Sequence, residues 1–345
     1  MIWLTWRQFR VQAVTAAAAL AALAILFAVT GPHLAGLYSA TGIGSCHGGS
    51  CARLASGFLS ALGGPYPTLY LIGVAVIILA PVVIGIFWGA PLIAHEFETR
   101  THYLAWNQSA TRARWLAVKL ALPGLAALAV TEGLSLIQAW WAAPIGRAIG
   151  RGGSAGGIAR TSRFYPLVFA THGITPLGYA AFAFALGVTA GVLCRRTIPA
   201  MAVTLAIFAV GQLALPLWIR PHLFPAQHTT IAISSDTALS GDPQGNLTLT
   251  TASVPGHPGA WILSSGAANA AGNRVGTIPA ACSHTIPGSL SSALDCLASH
   301  GVRVAVTYQP ASRYWAFEWT ETAIFLALAL ALAGYCFWRL GRRLS

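Results

Sequence analysis

The sequence predicts an all-α polytopic membrane protein with six transmembrane helices. Hydrophobic residues make up 56% of the 345 residues and charged residues only 8%, whereas an ordinary soluble domain carries roughly a quarter charged residues. Runs of about twenty apolar residues are long enough to cross a bilayer core of ~30 Å as helices. Six such runs occur, at approximately 13–32, 68–94, 115–143, 165–193, 198–219 and 317–338.

The first residues, MIWLTWRQFR, predict a helix that lies on the membrane surface before the first span. Trp3 and Trp6 fall near one face of such a helix, with Arg7 and Arg10 toward another, and tryptophan together with arginine favours the bilayer interface. We therefore assign 1–12 to an interfacial helix, with a plain charged flank as the alternative. The apolar run that follows is longer than a signal-peptide core of about 7–15 residues, so we expect a retained helix.

Basic residues predict that both chain termini face the cytoplasm. The net charge is +12, and in a membrane protein such an excess orients helices rather than indicating nucleic acid. The connection within 144–164 departs from this pattern because it places four arginines outside: Arg147, Arg151, Arg160 and Arg163. An external basic rim that attracts anionic headgroups or an acidic substrate is one interpretation of them, and the glycine run between them is more simply a flexible loop.

The segment 220–312 predicts a small external domain with some β-structure, and 313–345 predicts the last span with a basic cytoplasmic tail. TTIAISSD, GNLTLTTASV and VRVAVTYQ alternate apolar with polar residues, the period of half-buried strands. Four cysteines lie outside under this topology, where disulfides persist: Cys46, Cys51, Cys282 and Cys296. The local pairings fit, although spacing leaves the crossed pairings open. SCHGGSC also admits a metal site with His47.

Polar groups inside the spans are few. Glu132 is an acid within the third run and is a functional candidate by default. Gln138, His172 or Gln212 are possible hydrogen-bond partners for it, and a structural hydrogen bond is the alternative to a role in substrate passage. Near the last span, Glu318 and Glu321 are expected beside Arg313. GIFWG and GVTAG place small residues at i and i+4, which allows helices to approach closely within one subunit or between two.

The sequence motifs give little support for an enzyme. HEFET begins like the zinc-binding HExxH, but Thr99 stands where the second histidine is needed. His95, Glu98 and His102 share a helical face at i, i+3 and i+7, although a polar helix end needs no metal to justify it. No GxxxxGK[ST] motif occurs, because Lys119, the only lysine, lies in LAVKLAL. The chain is thus predicted to bind no ATP, to hold no metal and to have no catalytic residues.

A charged segment, HEFETRTHYLAWNQSATRARW, separates the second and third runs. From Glu96 to about Trp106 the pattern is compatible with a helix that has Phe97, Thr101 and Leu104 on one stripe and charges elsewhere. Such an amphipathic helix between two spans is suited to docking on a soluble partner.

This sequence resembles the permease subunits of ABC-2 type exporters, particularly actinobacterial ones. The resemblance rests on MIWLTWRQFR, on APLIAHEFETRTHYLAWNQSATRARWLAVKL and on YQPASRYWAFEW. It implies that the N-terminal motif is a connecting helix and that the segment near 95–106 is a coupling helix that contacts a separate ATPase. The residues assigned to that contact are Glu96, Phe97, Glu98, Arg100, Thr101 and Leu104. Many members have Gly-Thr where this chain has Arg100-Thr101.

The resemblance also implies two permease subunits, here a homodimer, with two ATPase subunits that bind ATP and Mg. Residues 13–219 then form spans 1 to 5 in a bacterial plasma membrane. The leading functional hypothesis is the permease subunit of an ATP-driven exporter. The alternatives are a membrane-embedded metal-dependent enzyme, built on Glu132 or on the His95 group, and a sensor whose external domain binds a ligand.

Overall fold

The computed structural model describes residues 2–46, 50–99, 111–153, 163–234, 237–241, 247–251, 253–275, 280–282 and 289–342. These residues include six helices that are long and apolar enough to cross a membrane. We number them spans 1 to 6: Phe9–Ala40, Tyr66–Glu98, Ala113–Gly150, Thr175–Cys194, Thr197–His222 and Ala311–Arg342. The predicted all-α polytopic class is therefore confirmed.

Two faces of the bundle are named by what they carry. The terminal face holds the start of span 1 and the end of span 6. It also holds the connection between spans 2 and 3 and the one between spans 4 and 5. The sheet face holds the other connections and the β-structure. Span 4 is the central helix, since 78% of its most apolar stretch is buried, against 11% in span 1.

Span 1 corrects the prediction of a separate interfacial helix at 1–12. A single helix runs from Ile2 to Ala40 without a turn near residue 12. No glycine or proline occurs before Gly31, and alanine, the best helix former, dominates the junction. Trp3 is exposed, whereas Phe9 is buried edge-on against Trp88 of span 2 at 4.8 Å between ring centroids. The stretch is thus continuous with span 1 in one helix.

Span 4 begins ten residues later than the run predicted at 165–193. The residues before it form a short helix, Pro166–Phe169, followed by a turn in which Gly173 has φ +66°. Apolar composition alone made this stretch look like part of the span. The left-handed glycine and the proline at 176 instead place the helix start at Thr175.

The small residues of GIFWG and GVTAG pack against each other within one chain. Residues Ile84–Gly89 of span 2 form a π-helical turn that faces span 4. A Cβ at Gly89 would lie 2.6 Å from the Phe184 carbonyl oxygen, and one at Gly191 would lie 2.7 Å from the Ala90 carbonyl oxygen. Side chains at these positions would force the two spans apart.

Between spans 5 and 6 the described residues form five strands: β1 Gln227–Ile231, β2 Thr237–Gly241, β3 Leu247–Thr251, β4 Trp261–Ala268 and β5 Arg303–Gln309. β5 lies between β1 and β4 in an antiparallel sheet, and β2 pairs with β3 as a hairpin. A helix, Leu290–Ser299, packs Leu297 against Val304 and Val306 of β5 in the domain core. The alternation predicted β1, β3 and β5 but missed β2, β4 and the helix.

Disulfides join Cys46 to Cys51 and Cys282 to Cys296, which are the two local pairings. The first connects the end of span 1 to a helix, Ser50–Ala61, that the sequence reading missed. This helix is amphipathic and buries Ala55, Phe58 and Leu59 in the core beside spans 1 and 3. His47, which was considered as a metal ligand, lies outside the described residues.

Candidate functional site

The end of span 2 at the terminal face is joined to span 3 by an ion pair. The carboxylate of Glu96 pairs with the ammonium of Lys119, and the two side chains are only 12% and 5% exposed. The ammonium also lies 5.2 Å from the ring centroid of Trp115, one helical turn earlier. Because this charge pair is largely withdrawn from water, it fixes the spacing between the two spans more strongly than a surface pair would.

The next turn of span 2 is joined to span 5. The Glu98 carboxylate accepts hydrogen bonds from the backbone nitrogen of Thr197 at 2.9 Å and from its hydroxyl at 2.8 Å. Thr197 is the first residue of span 5, and the preceding Arg196 supplies no side-chain cap. A carboxylate at a helix N-terminus satisfies a free N–H group and interacts favourably with the helix dipole. Glu98 is therefore the N-cap of span 5, supplied from another helix.

Between these two contacts lies Phe97, whose ring centroid is 5.9 Å from the Arg195 guanidinium. Arg195 ends span 4 with φ 55°, a left-handed conformation that glycine usually adopts at a helix C-terminus. A non-glycine residue in this conformation costs on the order of 1–3 kcal/mol. The two-residue connection from span 4 to span 5 is thus strained and lies against the end of span 2.

We call Glu96, Phe97, Glu98, Lys119 and Thr197 the terminal-face cluster. The structure brings together the first three residues predicted for coupling, whereas Arg100, Thr101 and Leu104 lie outside the described residues. The helix ends at Glu98, with the Thr99 nitrogen donating to the His95 carbonyl. Residues 96–98 therefore form the last turn of span 2 and not, as predicted, the start of a separate helix, because span 2 continues unbroken from the membrane.

A second polar group lies near the sheet face, between spans 4, 5 and 6. Arg220 donates from Nε and Nη2 to the two carboxylate oxygens of Glu321 at 2.8 and 2.9 Å, and Tyr179 donates its hydroxyl to the same carboxylate. Both charged side chains are buried, and the guanidinium lies 4.0 Å from the Phe169 ring centroid. Arg313, the expected partner, instead donates to the Pro225 carbonyl and to Gln309.

Glu318 repeats the capping arrangement at this face. Its Oε2 accepts from the backbone nitrogens of Ile174 and Thr175 at 3.0 and 3.1 Å, and from the Thr175 hydroxyl at 2.7 Å. Thr175 is the first residue of span 4, so span 6 supplies the N-cap of span 4. We call Thr175, Tyr179, Arg220, Glu318 and Glu321 the sheet-face network.

Glu132 lies near the middle of span 3 and makes no contact with its expected partners. Its Oε2 is buried without a hydrogen-bond partner among the described residues, as are both amide atoms of Gln138. The ring of His172 bonds instead within its own turn, with Nδ1 2.8 Å from the Val168 carbonyl oxygen. The prediction that Gln138, His172 or Gln212 satisfies Glu132 is wrong, because none of the three forms a hydrogen bond with Glu132 in the described residues.

The metal-enzyme alternative receives no geometric support from the described residues. Glu98 is occupied as a helix cap, and His102 lies outside those residues. Cys282, Cys296 and His300 come close together, but the two cysteines form a disulfide and therefore offer no thiolate to a metal.

A family model described as ABC-2 membrane transporter related matches residues 17–220, which is more than half of the chain. The chain belongs to this family. It is thus a multi-pass membrane transporter permease, as the resemblance of its motifs implied. No curated protein and no solved structure matches the chain significantly.

The family match contains the whole terminal-face cluster and ends at Arg220, the residue that pairs with Glu321. The permease therefore carries its sheet and its sixth span beyond the matched region, attached through the sheet-face network. Sequence reasoning missed Lys119, Thr197 and Arg220 as site residues. A lone lysine inside an apolar helix was a usable signal for the first, whereas Thr197 had none.

Proposed function

We propose that the permease is driven by a separate ATPase subunit that docks on its terminal face and that it moves substrate toward the sheet face, as an exporter. The ATPase binds ATP and Mg, and the permease itself is not an enzyme. A second copy of the chain completes a homodimer. The observation that carries this proposal is the terminal-face cluster, together with the membership of the family.

The cluster supports the proposal because it joins three spans at one point. The chain leaves span 2 immediately after Glu98, so a partner that moves the segment beginning at residue 100 pulls directly on that turn. Its motion reaches span 3 through Lys119 and span 5 through Thr197. The strained connection at Arg195 offers a place where spans 4 and 5 change their relative position.

The charge and cysteine distributions support a cytoplasmic terminal face. Arginines near that face include Arg7, Arg10, Arg195, Arg196 and Arg339, in agreement with the preference of basic residues for the cytoplasmic side. Both disulfides lie at the sheet face, which suits an oxidising exterior. In this orientation the protein lies in a bacterial plasma membrane with its amino and carboxyl termini on the cytoplasmic side.

The test is purification of the tagged permease from its own membranes in mild detergent, with mass spectrometry of whatever remains bound and measurement of ATP hydrolysis. We expect an ATPase with a phosphate-binding loop in the complex. Arg100→Glu should weaken the complex and reduce its ATP hydrolysis, because it reverses a charge in the proposed docking segment. Arg53→Glu makes the same change at an exposed position of the helix Ser50–Ala61 at the sheet face and should leave both unchanged.

Glu98→Gln separates docking from capping, since the amide oxygen still accepts from Thr197 while the charge is lost. If no ATPase accompanies the permease even after mild crosslinking, the proposed energisation is wrong. If Arg100→Glu and Arg53→Glu behave alike, the segment after span 2 is not the docking site.

A further inference from the structure

A cavity of about 310 Å³ lies at the sheet face between spans 2, 3 and 6. Its walls come from the beginning of span 2 at Tyr70, the end of span 3 at Ala139–Ile149, and the beginning of span 6 at Tyr314 and Trp315. These positions lie toward the sheet-face ends of the three spans. Trp315 is 57% exposed, as expected for an aromatic residue at that depth.

The cavity has an apolar wall and a cationic rim. Small residues of span 3, Ala142, Ala143 and Gly146 among them, form the wall, and two arginines, Arg147 and Arg163, complete the lining as its cationic part, here called the rim. Neither arginine is in a salt bridge with a carboxylate of the described residues. Arg147 makes a cation–π contact with Tyr38 at 5.1 Å. The rim therefore keeps two positive charges that are in no ion pair with a carboxylate of the described residues.

His172 also lines the cavity and does not add to this charge at neutral pH. Burial is the main cause that lowers its pKa below the ordinary value, and the nearby positive charge of Arg163 lowers it further. The electrostatic attraction of the cavity for an anion thus comes from the arginines, which stay charged at any physiological pH.

We propose that this cavity binds the anionic headgroup of a phospholipid in the leaflet at the sheet face, with the phosphate between Arg147 and Arg163 and the acyl chains along the alanine wall of span 3. Guanidinium groups match phosphate oxygens in charge and geometry. Basic pockets between transmembrane helices bind lipid headgroups in this way. The proposal accounts for arginines that the positive-inside rule does not explain.

Binding is tested on the whole purified permease in neutral detergent, with phosphatidylglycerol as the anionic probe and phosphatidylcholine as the matched zwitterionic one. Native mass spectrometry gives the occupancy, and the rise in thermal midpoint gives an independent readout. We expect phosphatidylglycerol to bind and to raise the midpoint more than phosphatidylcholine. In the double variant Arg147→Gln/Arg163→Gln its binding should weaken about tenfold or more, since hydrogen bonds to charged groups are lost.

Gly146→Leu is a second variant that leaves the charges in place and fills the cavity. A Cβ at Gly146 meets no atom within 4 Å, and leucine is a better helix former than glycine, so the fold is retained while the headgroup is excluded. Gly150→Leu is the control, because Gly150 has the same open surroundings on the same helix but does not line the cavity. Arg151→Gln controls for the loss of one nearby positive charge.

Equal binding of the two lipids by the wild type would overturn the proposal. So would unchanged phosphatidylglycerol binding in Gly146→Leu or in the double arginine variant. Inorganic phosphate in lipid-free detergent distinguishes the sources of the anion: if phosphate alone gives the full thermal shift, the site takes a free anion and the lipid assignment is wrong. These measurements need no ATPase, so their failure is independent of the proposed energisation.

Discussion

Two glutamates perform the same task at opposite faces of the bundle. Glu318 of span 6 accepts from the backbone nitrogen and hydroxyl of Thr175, the first residue of span 4. Glu98 of span 2 accepts from the same two groups of Thr197, the first residue of span 5. Glu318 is 0% exposed, whereas Glu98 is exposed. Water therefore competes for the cap at the terminal face and is kept away from the one at the sheet face.

The difference suggests how the bundle divides its mechanical roles. Breaking the buried cap leaves a desolvated carboxylate and two N–H groups without partners, and each such loss costs about 1–3 kcal/mol or more. Breaking the exposed cap lets water take the place of the threonine. We therefore expect the sheet-face network to hold spans 4, 5 and 6 together, and the start of span 5 at the terminal face to move more easily.

The largest effect is expected from breaking the buried ion pair. Arg220→Met removes the partner of Glu321 and leaves a buried charge uncompensated, which typically costs ~3–5 kcal/mol. The free energy of unfolding, measured by denaturant titration in detergent, should fall accordingly. The sheet-face network would then be shown to hold the bundle together.

A matched variant separates the loss of the pair from the loss of packing. In Arg220→Met/Glu321→Leu/Tyr179→Phe all the polar groups of the pair are removed together, so no buried charge or hydroxyl remains without a partner. It should recover most of the stability lost in Arg220→Met. A single variant as stable as the wild type would contradict the structural role assigned to Arg220.

A smaller effect is expected when the two caps are removed separately. Glu318→Ala should lower the free energy of unfolding by about 1–3 kcal/mol, because buried donors lose their acceptor. Glu98→Ala should change the unfolding midpoint less, but it should speed amide hydrogen exchange in the first turn of span 5. Amide hydrogen exchange at the two helix starts is measured by mass spectrometry on the peptides that begin span 4 and span 5.

Glu98→Gln and Glu318→Gln are the conservative controls, since each amide keeps one acceptor oxygen. If Glu98→Ala destabilises the whole protein as much as Glu318→Ala does, exposure does not distinguish the two caps and the proposed mobility of the terminal face fails.

The sequence predicted the six spans because apolar length has a direct physical meaning in a bilayer. It failed where apolar residues do not form a span, as before Thr175, where a left-handed glycine and a proline set the helix start. It also failed for the helix Ser50–Ala61, which is amphipathic and too short to cross. Composition over a window cannot detect either feature.

Charged residues in the membrane region were visible in the sequence, but their partners were not. Glu96 and Lys119 are 23 residues apart, and Arg220 and Glu321 are 101 apart. Which charges meet depends on how spans 2 and 3 pack for the first pair, and on how spans 5 and 6 pack on span 4 for the second. Arg313 was the nearest cation to Glu321 along the chain, yet it donates a hydrogen bond to the Pro225 carbonyl, just before β1. Sequence proximity was the wrong guide because helix rotation decides the pairing.

The smallest predicted effect concerns pH and the turn that Glu318 caps. His172 immediately precedes Gly173, and its pKa is lowered, first by burial and then by the charge of Arg163, against a hydrogen bond to Val168 that raises it. The unfolded chain therefore takes up a proton at a higher pH than the folded protein does. Stability due to the neutral ring is fully present above the unfolded pKa, about 6.5, and is lost as pH falls toward the folded pKa.

The thermal midpoint in detergent should accordingly decrease as pH is lowered from about 7.5 through 6.5, and His172→Gln, which does not titrate, should lessen that decrease. His95→Gln provides the control at the terminal face, because His95 is exposed near the end of span 2. If His172→Gln and His95→Gln give the same pH profile, the ring at the sheet face is not desolvated. The contrast between a shielded face and a solvated one would then have to rest on the carboxylates alone.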